Sequence, residues 1–249
     1  MFDDSEPTPI YLNRAVQPGD RKVIDQLTAS RHWDYPKFQE VIVALASVGE
    51  YLPASNRPDS IHIQGFRPKL ERLSELAKEH GRETVQPIFA DIESGKFVFG
   101  RITKGTLVGN QHTVRTDTMR QKGREHLQKL ALSAHIHPGG EGALAGGMGF
   151  SDTDYIGFLS DPEEIGQIIK VGETVFMCLK TSVTPNNMKP EDVTRRVKQI
   201  VTETVDDKSK TTLERLVNLN RSVCTEFGMV LYMATGKTRD LMERVPVAV

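Results

Sequence analysis

The chain has 249 residues, of which 38% are hydrophobic and 26% are charged, and its formal net charge is −1. This composition is ordinary for a globular protein, and the near-neutral charge gives no general electrostatic reason to bind nucleic acid or a membrane. The longest strongly apolar run, residues 41–48, is too short to span a bilayer, and no signal-peptide pattern opens the chain. Cys178 and Cys224 alone form no disulfide framework and fit a reducing compartment. We therefore expect a cytoplasmic protein.

The first part of the chain is predicted to be mostly helical. Residues 1–20 contain three prolines and predict a loosely ordered arm. Apolar residues at helical spacing predict one helix over residues 36–51 and another over 68–81. Because no residue here suggests chemistry, we predict that residues 1–80 form an accessory region that binds a partner.

From residue 84 onward the pattern becomes that of strands. Strands are predicted over residues 85–92, 96–102 and 106–114, the last two forming a hairpin. Residues 117–132 are predicted to be helical and to lead into an apolar strand. These elements begin the second predicted unit of the chain, residues 81–249.

The remainder of the chain alternates between helices and strands. Helices are predicted over residues 162–169, from 190 onward and over 213–227, and strands over 173–182 and 229–234. Alternation of this kind predicts an α/β fold in which a mixed sheet is covered by helices.

A compact motif stands at the end of the apolar strand before Pro138. His135 and His137 are two residues apart, so on a strand both side chains point to one side of the sheet. Ser151-Asp152-Thr153-Asp154 begins a predicted helix, and Asp154 lies one turn inside it. Two imidazoles and a carboxylate are the protein ligands of an open zinc site. A Ser-x-x-Asp sequence is also a capping box, which needs no metal.

The two halves of this motif together resemble the JAMM motif of the JAB/MPN metalloprotease family, His-x-His-Pro followed by Ser-x-x-Asp. The spacer from Pro138 to Ser151 has 12 residues, six of them glycine, and is longer than is usual in the family. We interpret it as a flexible insertion that gates the site. The resemblance implies a cytidine-deaminase-like mixed sheet flanked by helices, with zinc held by His135, His137 and Asp154.

The same resemblance implies a catalytic glutamate that lies before a Gly-containing strand upstream of the histidines. Glu93 fits this pattern best, because Gly100 follows it by seven places. Glu83 and Glu50 are the fallback candidates. In the implied mechanism, zinc activates a water, Glu93 transfers its proton to the leaving amine, and the Ser151 hydroxyl stabilises the oxyanion.

The resemblance further implies a zinc-dependent isopeptidase that acts on a protein substrate with a ubiquitin-like tail, and no membrane or nucleic-acid partner. Three alternatives stay open at this point. Two of them are a catalytically silent JAB/MPN scaffold or partner-binding module and a DNA-repair-associated JAB-like protein. A dinucleotide fingerprint, Gly140-x-Gly142-x-x-Ala145, is the weakest alternative, because further glycines intervene where its helix should begin.

Overall fold

The computed structural model describes residues 18–108, 111–113, 127–137, 149–185, 188–205, 211–236, 238 and 240–247. Its helices are α1 (Pro18–Thr28), α2 (Tyr35–Val48), α3 (Arg67–His80), α4 (Asp152–Ser160), α5 (Pro190–Val205) and α6 (Thr212–Glu226). Its strands are β1 (His32–Trp33), β2 (Ser60–His62), β3 (Thr84–Asp91), β4 (Lys96–Phe99), β5 (Thr103–Lys104), β6 (Thr106–Val108), β7 (Gln111–Thr113), β8 (Gln128–Ile136), β9 (Gly166–Val171), β10 (Thr174–Leu179), β11 (Val230–Ala234) and β12 (Leu241–Arg244).

Ten of these strands form one mixed sheet. Its order is β1-β2-β12-β11-β10-β9-β8-β3-β4, and β5 pairs with β3. The pairs β1–β2 and β8–β9 are parallel, and the other pairs are antiparallel. The predicted class, a mixed α/β sheet with flanking helices, is confirmed. None of the helices in the described residues is long and apolar enough to cross a membrane.

Helices cover both faces of the sheet, and alternate residues of β10 pack into the cores on the two faces. Val175, Met177 and Leu179 pack into the core that α1, α2 and α3 share with the sheet. The intervening Phe176 and Cys178 pack into a second core beneath α4, α5 and α6. Because neighbouring side chains of a strand point to opposite faces, a continuous apolar run is needed where both faces are covered.

Residues before position 81 are part of the same sheet and the same core. β2 pairs with β12 from the other end of the chain, and α2 packs against β3, β4 and β8. Helix α2 begins with an Asp34 cap and ends at Gly49 in the left-handed conformation. The structure therefore shows no break at the predicted boundary after residue 80. Residues 1–17 of the predicted arm lie outside the described residues, and 18–20 begin α1.

The two predicted helices of residues 36–51 and 68–81 are confirmed within a few residues, whereas the segment 162–169 is not helical. It leads into β9, which is buried on both faces between β8 and β10. β9 has only six residues, and Gln167 and Lys170 interrupt its apolar run, so its pattern does not distinguish a strand from a helix.

Two further predictions about the strand region are wrong. Residues 128–132, predicted as the end of a helix, belong to β8, where they pair with β3. The predicted hairpin between residues 96–102 and 106–114 does not form, because β4 and β5 both pair with β3 while β6 pairs with β7. Most of the predicted helix over 117–132 lies outside the described residues.

Candidate metal centre

The strand pair β3–β8 brings the two histidines next to a carboxylate that immediately precedes β3. Val85 lies opposite His135 in the antiparallel register, and Thr84 lies opposite Ile136. Continuing this register by one residue places Glu83 opposite His137. Since residues two apart share a face, Glu83, His135 and His137 all project to the same side of the sheet.

The helix that follows β8 in the chain supplies a second carboxylate. Ser151 is the N-cap of α4, and its hydroxyl accepts a hydrogen bond from the Asp154 backbone N–H, while the Asp154 side chain accepts from the Ser151 backbone N–H. This capping box holds the first turn of the helix. It also leaves the Asp154 carboxylate facing the histidines, so the capping role and the proposed ligand role coexist in one residue.

The four side chains form one tight cluster. One ligand atom from each of Glu83, His135, His137 and Asp154 lies within 4.8 Å of all the others. The Asp154 Oδ2 atom is 3.3 Å from His135 Nε2 and 3.4 Å from His137 Nε2. These side chains can hold a metal ion, because separations of this order suit ligands that each bind one ion at about 2 Å.

The chemistry of the individual atoms fits a cation. His135 Nε2 is buried and lacks a partner in hydrogen-bonding geometry, although it lies close to Asp154 Oδ2. A buried ring nitrogen without a hydrogen bond is costly unless something else engages it. A metal ion bound by the neutral ring would occupy this nitrogen and would pair with the carboxylates at the same time.

Burial and the charges of the neighbouring side chains shift the pKa values of Glu83, His135 and Asp154. Burial raises the pKa of the Glu83 carboxyl above its ordinary value, against an opposing influence from His135. Burial alone would lower the pKa of His135, but the Asp154 carboxylate outweighs it, and the net shift is upward. Burial alone would raise the pKa of Asp154, yet the two histidines hold it well below its ordinary value. Asp154 is therefore an anion in this site, and Glu83 is the carboxylate that takes up a proton more readily.

Phe150 packs against the cluster and was not anticipated from the sequence. Its ring is buried and lies 5.8 Å from the His135 ring and 5.6 Å from the Tyr155 ring, centroid to centroid. The end of the Gly-rich segment is therefore anchored in the core beside the histidines. The rest of that segment, including Gly140, Gly142 and Ala145 of the dinucleotide pattern, lies outside the described residues, and so the gating prediction stays a prediction.

The structure places Glu93 far from the cluster. Glu93 is exposed in the turn between β3 and β4, beyond the opposite end of β3 from Glu83. A strand advances about 3.3 Å per residue, so the length of β3 separates the two carboxylates by about 25 Å. Proton transfer requires hydrogen-bond reach, directly or through one water. Glu93 is therefore out of reach of the cluster, whereas Glu83, the first fallback candidate, belongs to it. Glu50 follows the end of α2 and is not in the cluster.

A sequence signal for Glu83 existed but was weaker than the motif around Glu93. Glu83 immediately precedes the strand that pairs with the histidine strand, whereas Glu93 follows the end of that strand by two residues. Without the pairing register, both glutamates have an equal claim to lie near a strand end. Only the antiparallel direction of β3 and β8 decides which end carries His135 and His137.

Ser151 lies where the sequence placed it, beside the cluster. Its Oγ atom is 2.8 Å from Asp154 Oδ2, and its backbone nitrogen is 2.6 Å from the same oxygen. The hydroxyl is thus one hydrogen bond away from the proposed ligand and adjacent to the space that the four side chains enclose.

Comparisons of the chain with protein-family models, with curated proteins and with solved structures find no match.

Proposed function

We propose that the chain is a zinc-dependent hydrolase of the JAB/MPN type that cleaves amide or isopeptide bonds beside ubiquitin-like protein tails. The observation that carries the proposal is the convergence of Glu83 with His135, His137 and Asp154 within 4.8 Å. The three downstream residues fit the His-x-His-Pro and Ser-x-x-Asp halves of the JAMM motif, although the spacer between the halves is longer than is usual. Two imidazoles and one carboxylate are a common protein ligand set for zinc with an open coordination position.

The four residues divide into three ligands and one base. His135, His137 and Asp154 would hold the ion, since Asp154 remains an anion and the histidine rings share its side of the sheet. Glu83 is suited to act as the base, because burial brings the pKa of its carboxyl toward the range in which a carboxylate accepts and returns a proton. A fourth protein ligand would occupy the position that water needs.

The chain's own groups then account for the proton transfers. Zinc, when bound, supplies a Lewis acid and lowers the pKa of its water to about 7. A Glu83 carboxylate oxygen takes one proton from the attacking water and later gives it to the nitrogen of the leaving amine. The Ser151 hydroxyl donates to Asp154 Oδ2 in the structure, and it would turn from that acceptor to donate a hydrogen bond to the oxyanion as the carbonyl carbon becomes tetrahedral.

The substrate class follows from the resemblance and is compatible with the sheet edge next to the cluster. Strand β5 pairs with Thr84 and Val85, immediately after Glu83, and within the described residues it pairs only with β3. An extended tail that added to this end of the sheet through backbone hydrogen bonds would lie beside the metal centre.

The test measures metal content and hydrolysis in the same preparations. Purified protein should contain about one zinc per chain and should release the reporter group from a ubiquitin-like tail amide, and a chelator should abolish this activity. His137→Ala should lose both zinc and activity, whereas the control His62→Ala, at an exposed position in β2, should keep both.

Three results would contradict the proposal. Full zinc retention in His137→Ala would exclude the ligand set, and turnover that survives the chelator would exclude metal-dependent hydrolysis. Stoichiometric zinc without hydrolysis of any tail amide would instead support a metal-binding scaffold.

A further inference from the structure

One polar side chain in the core beneath α4, α5 and α6 contacts both chain segments that flank the Ser151–Asp154 turn. Asn220 lies on α6 and is fully buried among apolar residues. Its Nδ2 atom donates to the Leu216 carbonyl oxygen at 2.8 Å, and its Oδ1 atom accepts from the Tyr155 hydroxyl at 2.8 Å. The donor bond within α6 fixes the orientation of the amide, so the oxygen end faces α4.

The first contact reaches α4 immediately after the proposed ligand. Tyr155 follows Asp154 in the chain and is itself buried. Its hydroxyl has a defined acceptor in Asn220, so the rotation of the first turn of α4 about its axis is fixed by a hydrogen bond as well as by packing. A rotation of this turn would move the Asp154 carboxylate relative to the histidines.

The second contact reaches the chain just before Ser151. Gly149 has a φ of 65°, and a Cβ atom at this position would lie 2.6 Å from Asn220 Nδ2. Only glycine allows the backbone to pass over the amide at this distance and in this conformation. The next residue, Phe150, then packs its ring against His135.

We propose that Asn220 is a positioning residue for the metal centre, which fixes His135 through Gly149 and Phe150 and fixes Asp154 through Tyr155. The inference rests on the metal site proposed above and extends it to a helix that contributes no ligand. Partners that orient metal ligands commonly contribute about 10–100-fold to metal affinity, although they never touch the ion.

The experiment compares zinc dissociation constants, measured by competition with a chromophoric chelator, in the full chain. Asn220→Ala should weaken zinc binding by about 10–100-fold. Tyr155→Phe removes only the hydroxyl and keeps the ring, and it should weaken zinc binding by a smaller factor. The absorption spectrum of bound Co²⁺ should change in both variants, because the ligand geometry changes.

Two control variants separate positioning from loss of stability. Asn218 lies on the same helix, and its side-chain amide accepts a hydrogen bond from Arg221. Asn218→Ala removes that amide and should leave the zinc dissociation constant unchanged. Val223→Ala creates a cavity in the same core and should lower the unfolding temperature without changing zinc affinity.

A third comparison tests the steric contact itself. Gly149→Ala should weaken zinc binding, and part of this loss should be recovered when it is combined with Asn220→Ala, because the clashing amide is then absent.

The result that overturns the inference is a wild-type zinc affinity in both Asn220→Ala and Tyr155→Phe. The inference is also overturned if Asn220→Ala weakens zinc binding no more than Val223→Ala does. If Asn220→Ala does not fold, Tyr155→Phe decides the question by itself. These outcomes leave the proposed function standing, whereas an absence of zinc binding by the wild-type chain would contradict the proposed function itself.

Discussion

Each end of the β3–β8 strand pair carries a carboxylate, half-buried at Glu83 and fully buried at Asp91, and the two have different partners. At one end Glu83 faces His135 and His137 across the pairing register. At the other end the Asp91 side chain accepts from the backbone N–H of Ser94 at 3.0 Å and closes the turn toward β4. The second carboxylate serves local structure, whereas the first meets imidazoles and another carboxylate. A carboxylate at a strand end becomes a candidate for chemistry through the groups that the partner strand and the next helix bring to it.

The largest expected effect distinguishes the glutamates at the two ends. Glu83→Gln keeps the size of the side chain but removes its basicity, so turnover of a tail-amide reporter should fall by about 10²–10⁴-fold while zinc is retained. The matched change Glu93→Gln should leave turnover within about twofold of wild type, as is usual for an exposed site remote from the chemistry. Paired rate and zinc measurements decide the matter. Normal turnover in Glu83→Gln would show that Glu83 is not the base that transfers the proton.

The next effect concerns the ligand role of Asp154. Asp154→Asn removes an anion that faces both histidines, so zinc should bind more than about 100-fold more weakly. This loss is larger than the loss expected when a residue that only orients a ligand is replaced. Asp152→Asn at the start of the same helix is the control, and its zinc affinity should stay near wild type. An unchanged dissociation constant in Asp154→Asn would show that the capping box is the whole role of this residue.

A third prediction uses pH to sharpen the comparison, because Glu164 is buried on the same side of the sheet without joining the cluster. Burial raises the pKa of Glu164 from 4.5 to about 7, while the Ser133 hydroxyl and the Lys180 ammonium limit the rise and Asp161 adds to it. Between these values the folded state binds more protons than the unfolded state, so stability should fall as the pH rises from 4.5 to 7 and then level off.

Replacing this carboxyl by a permanently neutral amide should remove that slope. The total change is at most about 3 kcal/mol. Glu164→Gln should be more stable than wild type at pH 8, and the two proteins should converge near pH 4. Urea unfolding at a series of pH values measures this directly, and parallel curves for the two proteins would contradict the assigned pKa direction.

The smallest effect is expected at the structural end of β3. Asp91→Ala removes the acceptor of the Ser94 backbone hydrogen bond and should lower the free energy of unfolding by about 1–2 kcal/mol. Zinc content and turnover should be unchanged, since the proposed metal centre is at the far end of the strand. A loss of zinc in this variant would show that the two ends of the strand pair are coupled.

Much of the fold was accessible from local patterns. The alternation of Val175, Met177 and Leu179 predicted β10, and the apolar periodicity of residues 36–51 predicted α2. These patterns work because a side chain's position on a strand or helix decides whether it meets the core. The segment that became β9 gave the wrong period, because it has only six residues and Gln167 and Lys170 interrupt its apolar run.

The arrangement of the site was less accessible than its composition. The spacing of His135 and His137 and the position of Asp154 within a helix turn are local facts, and the cluster contains all three. The choice between Glu83 and Glu93 depends on which strand pairs with β8 and in which direction, and no local pattern encodes this. The contact of Asn220 with Gly149 and Tyr155 likewise depends on how α6 docks. Pairing and docking join residues that are distant in the chain, so single-residue preferences do not reveal them.

The parallel pairing of β8 with β9 has a consequence for the order of events during folding. Between these strands the chain passes through α4, so the crossover from β8 to β9 carries Asp154 to the side of the sheet on which His135 lies. Glu83 arrives independently through β3. Contacts between such distant segments form late, because the entropy of closing the intervening loops must be lost first. Zinc uptake should therefore require β3, β8 and α4 together, and a nascent chain that ends before α4 should not retain the ion.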